Sequence, residues 1–179
     1  GIPGTLGGGI AMNAGAYNGE IKDCILTATV LDQSGRVRIL KADELELGYR
    51  TSIIQKEEYI VLEAEFYFES GNPEGIKAHM RDLNSRRRDK QPLEFPSAGS
   101  TFKRPEGHYA GKLIEDAGLK GYRVGDAQVS EKHCGFVVNR GEATAEDVKK
   151  LIRDVQDKVW DEFQVKLEPE VRIIPENGL

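Results

Sequence analysis

Apolar and polar residues alternate along residues 60–68, where Ile60, Leu62, Ala64, Phe66 and Phe68 interleave with Val61, Glu63, Glu65 and Tyr67. A period of two puts every second side chain on one face, which predicts a strand with one buried side. Residues 25–31 and 36–40 read as two more strands, and the turn-forming Asp32-Gln33-Ser34-Gly35 between them predicts a hairpin. Ser70-Gly71-Asn72-Pro73 then interrupts the pattern. Asn72 is placed to cap a helix and Pro73 suits its first position, so a helix is predicted over about 74–87. The break divides the chain into a first domain, 1–70, and a second, 71–179.

Beyond the helix, residues 89–107 carry Pro92, Pro96, Pro105, Gly99 and Gly107 and read as a long loop, with Phe95 and Phe102 available for burial. Residues 112–117 suggest a short helix closed by Gly118, and Val129 and 136–138 suggest strands. Thr144, with Asp147 three residues on, opens a helix whose Val148, Leu151, Ile152, Val155 and Val159 recur at helical spacing. A last strand is predicted at 171–174. Strands, hairpins and helices in this order imply an α+β fold instead of a doubly wound sheet.

The composition of the 179 residues, 39% hydrophobic and 31% charged, is that of a globular protein. Neither a long apolar run nor a basic stretch leading into one is found, so no membrane span or signal peptide is expected and the expected location is cytoplasmic. Cys24 and Cys134 lie far apart, and His79, His108 and His133 share no ligand spacing, so no metal is expected. A net charge of −5 argues against nucleic acid as a partner, Arg86-Arg87-Arg88 being the one basic run.

Four segments carry candidate chemistry. Gly1-Ile2-Pro3-Gly4-Thr5-Leu6-Gly7-Gly8-Gly9 presents bare backbone that could approach an anionic group, although it matches neither common nucleotide-binding glycine motif. In Gly48-Tyr49-Arg50-Thr51-Ser52 an arginine follows an aromatic residue and could clamp a carboxylate or phosphate. Ser97-Ala98-Gly99-Ser100-Thr101-Phe102-Lys103-Arg104 sets hydroxyls beside glycine and two cations, and Leu167-Glu168-Pro169-Glu170-Val171-Arg172 sets two carboxylates around a proline. Taken singly, the last three read more readily as a surface arginine, a turn and a solvated edge with an ion pair, whereas Pro3 and the apolar Ile2, Leu6, Ile10 and Met12 argue against a flexible terminus for the first.

Their wording and order, GIPGTLGG with MNAGAY, GYRTS, RRRDKQPLEFPSAGSTFKRP, AGKLIEDAGLKG, VSEKHCGFVVN and LEPEVRII, resemble the UDP-N-acetylenolpyruvoylglucosamine reductases, flavoproteins of bacterial peptidoglycan synthesis. The likeness is to the branch lacking an extra tyrosine-bearing loop. It implies that the first domain is the second half of a two-part FAD-binding domain of the vanillyl-alcohol-oxidase type, followed by a smaller α+β substrate domain. It further implies a chain that is a fragment, lacking roughly a hundred residues of a size typical of a small domain, and binding FAD poorly alone. The implied reaction is NADPH-dependent reduction of an enolpyruvyl UDP-sugar through FAD, by a monomer. Arg50, Ser100 and Glu170 take the catalytic positions. Gly1, Ile2, Pro3, Gly4, Gly7, Gly8, Asn13, Gly15 and Tyr17 take positions facing FAD. Tyr49, Lys90, Arg104, Lys120, His133 and Asn139 take substrate positions, and some relatives carry asparagine where Arg104 stands. Another flavin oxidase, or a UDP-sugar binding module without catalysis, are the competing readings.

Overall fold

The computed structural model describes residue 2 and residues 4–174. Its contacts separate two units, Gly1–Asn84 and Ser85–Leu179.

The first unit opens with a short helix, α1 (Leu6–Ala11), where the sequence suggested a glycine loop. Thr5 makes the helix possible: its hydroxyl accepts the Gly8 N–H at 3.1 Å and so caps the first turn. A two-residue hairpin follows, β1 (Gly15–Ala16) with β2 (Gly19–Glu20). The central sheet is antiparallel, with β3 (Ile25–Leu31) between β4 (Val37–Lys41) and β5 (Ile60–Phe66). Its inner face buries Ile25, Ala28, Val30 and Leu40 with Ile10, Leu45 and Ile54. A four-residue helix, α2 (Ile53–Lys56), precedes β5.

The alternation along β5 does not survive as the sequence suggests. Thr29 pairs with Glu63 and Val30 pairs with Val61, so Leu62 is an extra residue in the ladder. A one-residue bulge reverses which side chains face inward. Ala64 and Phe66 therefore pack on the core, but before the bulge it is Val61 that does so, and Ile60 and Leu62 are exposed. Phe68 lies beyond the strand and is also exposed.

The long helix α3 (Pro73–Lys90) begins as the sequence indicates, with Asn72 Oδ1 accepting the N–H groups of Glu74 and Gly75 at 2.9 and 3.0 Å. The division between the units falls inside this helix. None of its residues is buried.

The second unit is an antiparallel sheet in the order β6 (Ser97–Ser100), β9 (Phe136–Asn139), β8 (Ala127–Val129), β7 (Arg123–Val124). β6 lies in the middle of the predicted loop; at four residues with a glycine bulge it is too short to give a periodic signal. Helix α4 (Ala110–Asp116) and helix α5 (Ala145–Phe163) complete the unit. Thr144 and Asp147 form the reciprocal cap expected of them, with Thr144 Oγ1 accepting the Asp147 N–H and Asp147 accepting the Thr144 N–H. Leu151, Ile152, Val155 and Val159 of α5 are buried against Leu113, Ile114, Ala127, Val129 and Leu167. Each such side chain contributes about 1.5–3 kcal/mol of transfer free energy. The predicted last strand does not form: the pairing lies earlier, as a bridge between Phe102 and Pro169, and Ile173 and Ile174 are exposed.

Candidate functional site

Two of the three candidate catalytic residues lie on neighbouring segments of the second unit. After β6, residues 101–103 run antiparallel to residues 168–170. The Lys103 N–H donates to Glu168 O, and the Glu170 N–H to Thr101 O, each at 2.8 Å. The pairing places half-buried Glu170 beside the segment that carries exposed Ser100, 70 positions earlier in the chain by residue number. Lys103 and Glu168 add an ion pair across the same two segments.

Thr101, unremarked in the sequence, fixes this junction. It is buried, its N–H donates to Gly135 O at 2.8 Å, and its Oγ1 accepts the Val137 N–H at 3.1 Å. The irregular register between β6 and β9, where Gly99 adopts φ +90°, lets a side chain serve as partner to a strand amide. The signal was a single small hydroxyl residue, indistinguishable by type from Ser97 and Ser100 around it.

His133 lies in the turn between β8 and β9, edge-on to Phe136 with ring centroids 5.1 Å apart. Its Nδ1 accepts the Gly135 N–H at 3.0 Å, so the neutral ring carries its proton on Nε2. Burial pushes its pKa down from 6.5, and the Lys90 ammonium lowers it further against an opposing effect of Glu115. The packing leaves little room: a Cβ on Gly111 would come within 3.2 Å of His133 Cε1. Lys90 ends α3, and Lys120 pairs with Glu115 at 3.3 Å. His133, Lys90, Lys120 and Glu115 thus belong to one electrostatic neighbourhood, since Lys120 and Glu115 both act on the thiol of adjacent, buried Cys134.

The other candidates of this unit stand apart. Arg104 stacks over Tyr109, its Cζ 4.0 Å from the ring centre, and its Nε donates to His108 O at 3.3 Å. The side-chain Oδ1 of Asn139 accepts the N–H groups of Gly141 and Ala143 at 2.9 and 3.1 Å, closing the turn before α5. An open groove of about 310 Å³ lies between Phe95, Gln128, Lys132 and Arg140.

In the first unit Tyr49 and Arg50 form a tight turn whose ends, Gly48 and Thr51, pair with each other. Arg50 adopts φ +55°, its guanidinium lies 4.9 Å from the Tyr49 ring centre, and it donates to Gly15 O at 3.3 Å. Asn13 is fully buried with its amide committed to the protein, donating to Glu20 Oε2 at 2.6 Å and Gly48 O at 3.0 Å and accepting the Lys22 N–H at 3.0 Å. Gly15 has no room for a side chain, a Cβ there meeting Glu20 Cγ at 2.6 Å. Gly4, at φ +132°, is open on the side a Cβ would take, whereas Gly7 and Gly8 lie within α1. Ile2 and Tyr17 are exposed, and Gly1 and Pro3 lie outside the described residues. Among the described residues no cluster of three metal-binding side chains occurs, and no helix is long and apolar enough to cross a membrane.

Antiparallel sheets with helices packed on them make this an α+β architecture. The chain is similar, with 37% identity and a TM-score of 0.82, to the crystal structure of UDP-N-acetylenolpyruvylglucosamine reductase from Thermus caldophilus, over 97% of this chain and 62% of that one. Residues 91–174 match the family model described as "UDP-N-acetylenolpyruvoylglucosamine reductase, C-terminal domain". The chain is also 63% identical over 176 residues to the UDP-N-acetylenolpyruvoylglucosamine reductase of Lachnoclostridium phytofermentans, and 61% identical over 176 residues to that of Agathobacter rectalis. Both alignments cover 98% of this chain, which spans 57% and 56% of the two relatives.

Proposed function

We propose that the chain serves the reduction of UDP-N-acetylglucosamine enolpyruvate to UDP-N-acetylmuramate, with FAD as cofactor and NADPH as hydride donor, in cytoplasmic peptidoglycan synthesis. The observation that carries this reading is the pairing of residues 101–103 with 168–170, which holds a hydroxyl and a carboxylate on neighbouring segments of one unit. Ser100 supplies the proton to C2 of the enolpyruvyl group, and Glu170 orients that hydroxyl or relays the proton. Arg50 steadies the negative charge that develops on the enolate and its carboxylate. Lys90 and Lys120, beside the uncharged His133 ring, accept the diphosphate. Tyr49, Arg104 and Asn139 complete the substrate positions.

The glycines fit the cofactor in part. Open backbone at Gly4 suits an anionic group, whereas the Gly8 N–H is spent on Thr5 Oγ1 and the Asn13 amide is likewise spent within the protein, supporting the site from behind. A flavin held there would supply hydride chemistry, and Gly15 and Tyr17 would flank it.

The test is Ser100→Ala in flavin-loaded protein, with the two half-reactions followed separately by flavin absorbance. Flavin reduction by NADPH should proceed at the wild-type rate, and reoxidation by the enolpyruvyl substrate should slow by roughly 10²–10⁴-fold. Equal rates for both proteins in the second half-reaction would remove Ser100 as the proton donor.

A further inference from the structure

Helix α3 ends at a proline-imposed defect. Each of the last carbonyls of a helix lacks an intrahelical donor. Gln91 supplies one through its N–H to Arg87 O at 2.8 Å. The next in register would be the N–H of residue 92 to Arg88 O, but residue 92 is Pro92, which has none. The Lys132 ammonium takes that place, donating to Arg88 O at 2.8 Å, and it faces Glu94 at 3.8 Å on the chain just beyond the helix. A cation also suits the negative end of the helix dipole. Lys132 belongs to the β8–β9 turn and immediately precedes His133, and Lys90 lies two residues beyond the carbonyl it holds.

We propose that Lys132 is a positioning residue, a tether that fixes the end of α3 to the β8–β9 turn and thereby sets Lys90 in register with His133 for the diphosphate of the substrate. The inference rests on the diphosphate reading of Lys90 given above. Lys132 itself is spent on Arg88 O and Glu94, so its action on a ligand runs through Lys90. The Lys132–Arg88 hydrogen bond joins the residue before His133 to the carbonyl two residues before Lys90, and the Lys90 charge acts in the direction of lowering the His133 pKa. Arginine at 132 keeps a cationic donor of similar reach, whereas methionine keeps the apolar stem and loses the donor.

The experiment measures UDP affinity by calorimetry and the His133 titration by NMR for wild type, Lys132→Met, Lys132→Arg, Lys90→Met and the double methionine variant. Lys132→Met should weaken UDP by roughly tenfold through misplacement of Lys90. Lys132→Arg should restore most of the affinity, and the double variant should bind no more weakly than Lys90→Met alone. The His133 midpoint should rise in Lys132→Met and in Lys90→Met alike. Losses that add in the double variant, or an unchanged affinity in Lys132→Met beside a weakened Lys90→Met, would overturn the tether. If Lys90→Met binds UDP as wild type does, the diphosphate reading of Lys90 falls; the His133 midpoint then decides the tether by itself, an unmoved value in Lys132→Met overturning it.

Discussion

Replacing Thr101 with Val keeps the shape of the side chain and removes one oxygen. That oxygen is the partner of the Val137 N–H at 3.1 Å, in a strand whose neighbouring β6 is too irregular to offer another acceptor. A strand amide left without a partner costs about 1–3 kcal/mol. For a unit of about 100 residues each kcal/mol moves the thermal midpoint by roughly 4–8 °C, so a loss near the middle of the range lowers it by roughly 8–16 °C. The chain has one tryptophan, Trp160 in α5, so its fluorescence reports the unit in which Thr101 lies. Thr101→Ser retains the oxygen, loses one methyl, and should stay within about 1 kcal/mol of wild type. Hydrogen exchange at the Glu170 amide, bonded to Thr101 O, should accelerate in the valine variant and not in the serine variant. The reasoning is refuted if Thr101→Val melts with wild type, or if serine proves as damaging as valine.

Three shorter predictions follow from the same geometry. Thr144→Ala removes the cap of α5 and should cost about 1 kcal/mol, read from the Trp160 unfolding transition in urea. Because Leu62 is the bulged, exposed residue of β5, Leu62→Ser should change stability by less than about 0.5 kcal/mol, whereas Val61→Ser, which faces the core, should cost more than about 1 kcal/mol; circular dichroism of the two variants settles the order. His133 should titrate below 6.5 by NMR. Its unfolded form then binds more protons than its folded form as pH falls below that value, so its contribution to stability is present above pH 6.5 and is lost as pH falls through the lower folded pKa. A midpoint at or above 6.5 would contradict the burial argument.

The features legible in the sequence are those written in periodic or local chemistry. Thr144 with Asp147, Asn72 with Pro73, and the spacing from Val148 to Val159 each specify a helix boundary or face through neighbours within a few residues. The β3–β4 hairpin is legible for the same reason. What escaped is set by pairings distant in sequence. The register of β5 depends on β3, so no count along residues 60–68 reveals that Leu62 is squeezed out of the ladder. Residues 171–174 have strand composition but form no strand, the bridge to Phe102 falling earlier, at Pro169. The glycine run could be read for bareness but not for Thr5, whose cap turns part of it into α1. Among the candidate residues, the types at Ser100, Glu170 and Arg50 were visible, while Thr101 and Lys132, which hold backbone groups of the second unit, were not. Their importance lies in one backbone group each, and Pro92, four residues after Arg88, was the only local hint of a missing donor.

The junction of Ser100 with Glu170 also has a place in time. Lys103 and Glu168 are 65 positions apart, and closing a free loop of that length costs about 4 kcal/mol in its length-dependent part alone. The sheet and α5 shorten that loop once they form, and Leu167, fully buried with its carbonyl held by Gln156 Nε2 at 2.8 Å, anchors the returning chain three residues before Glu170. The pairing of these two segments is therefore expected to form after the scaffold during folding. On the reverse path it is released first, through an opening that leaves Leu151 and its neighbours in place.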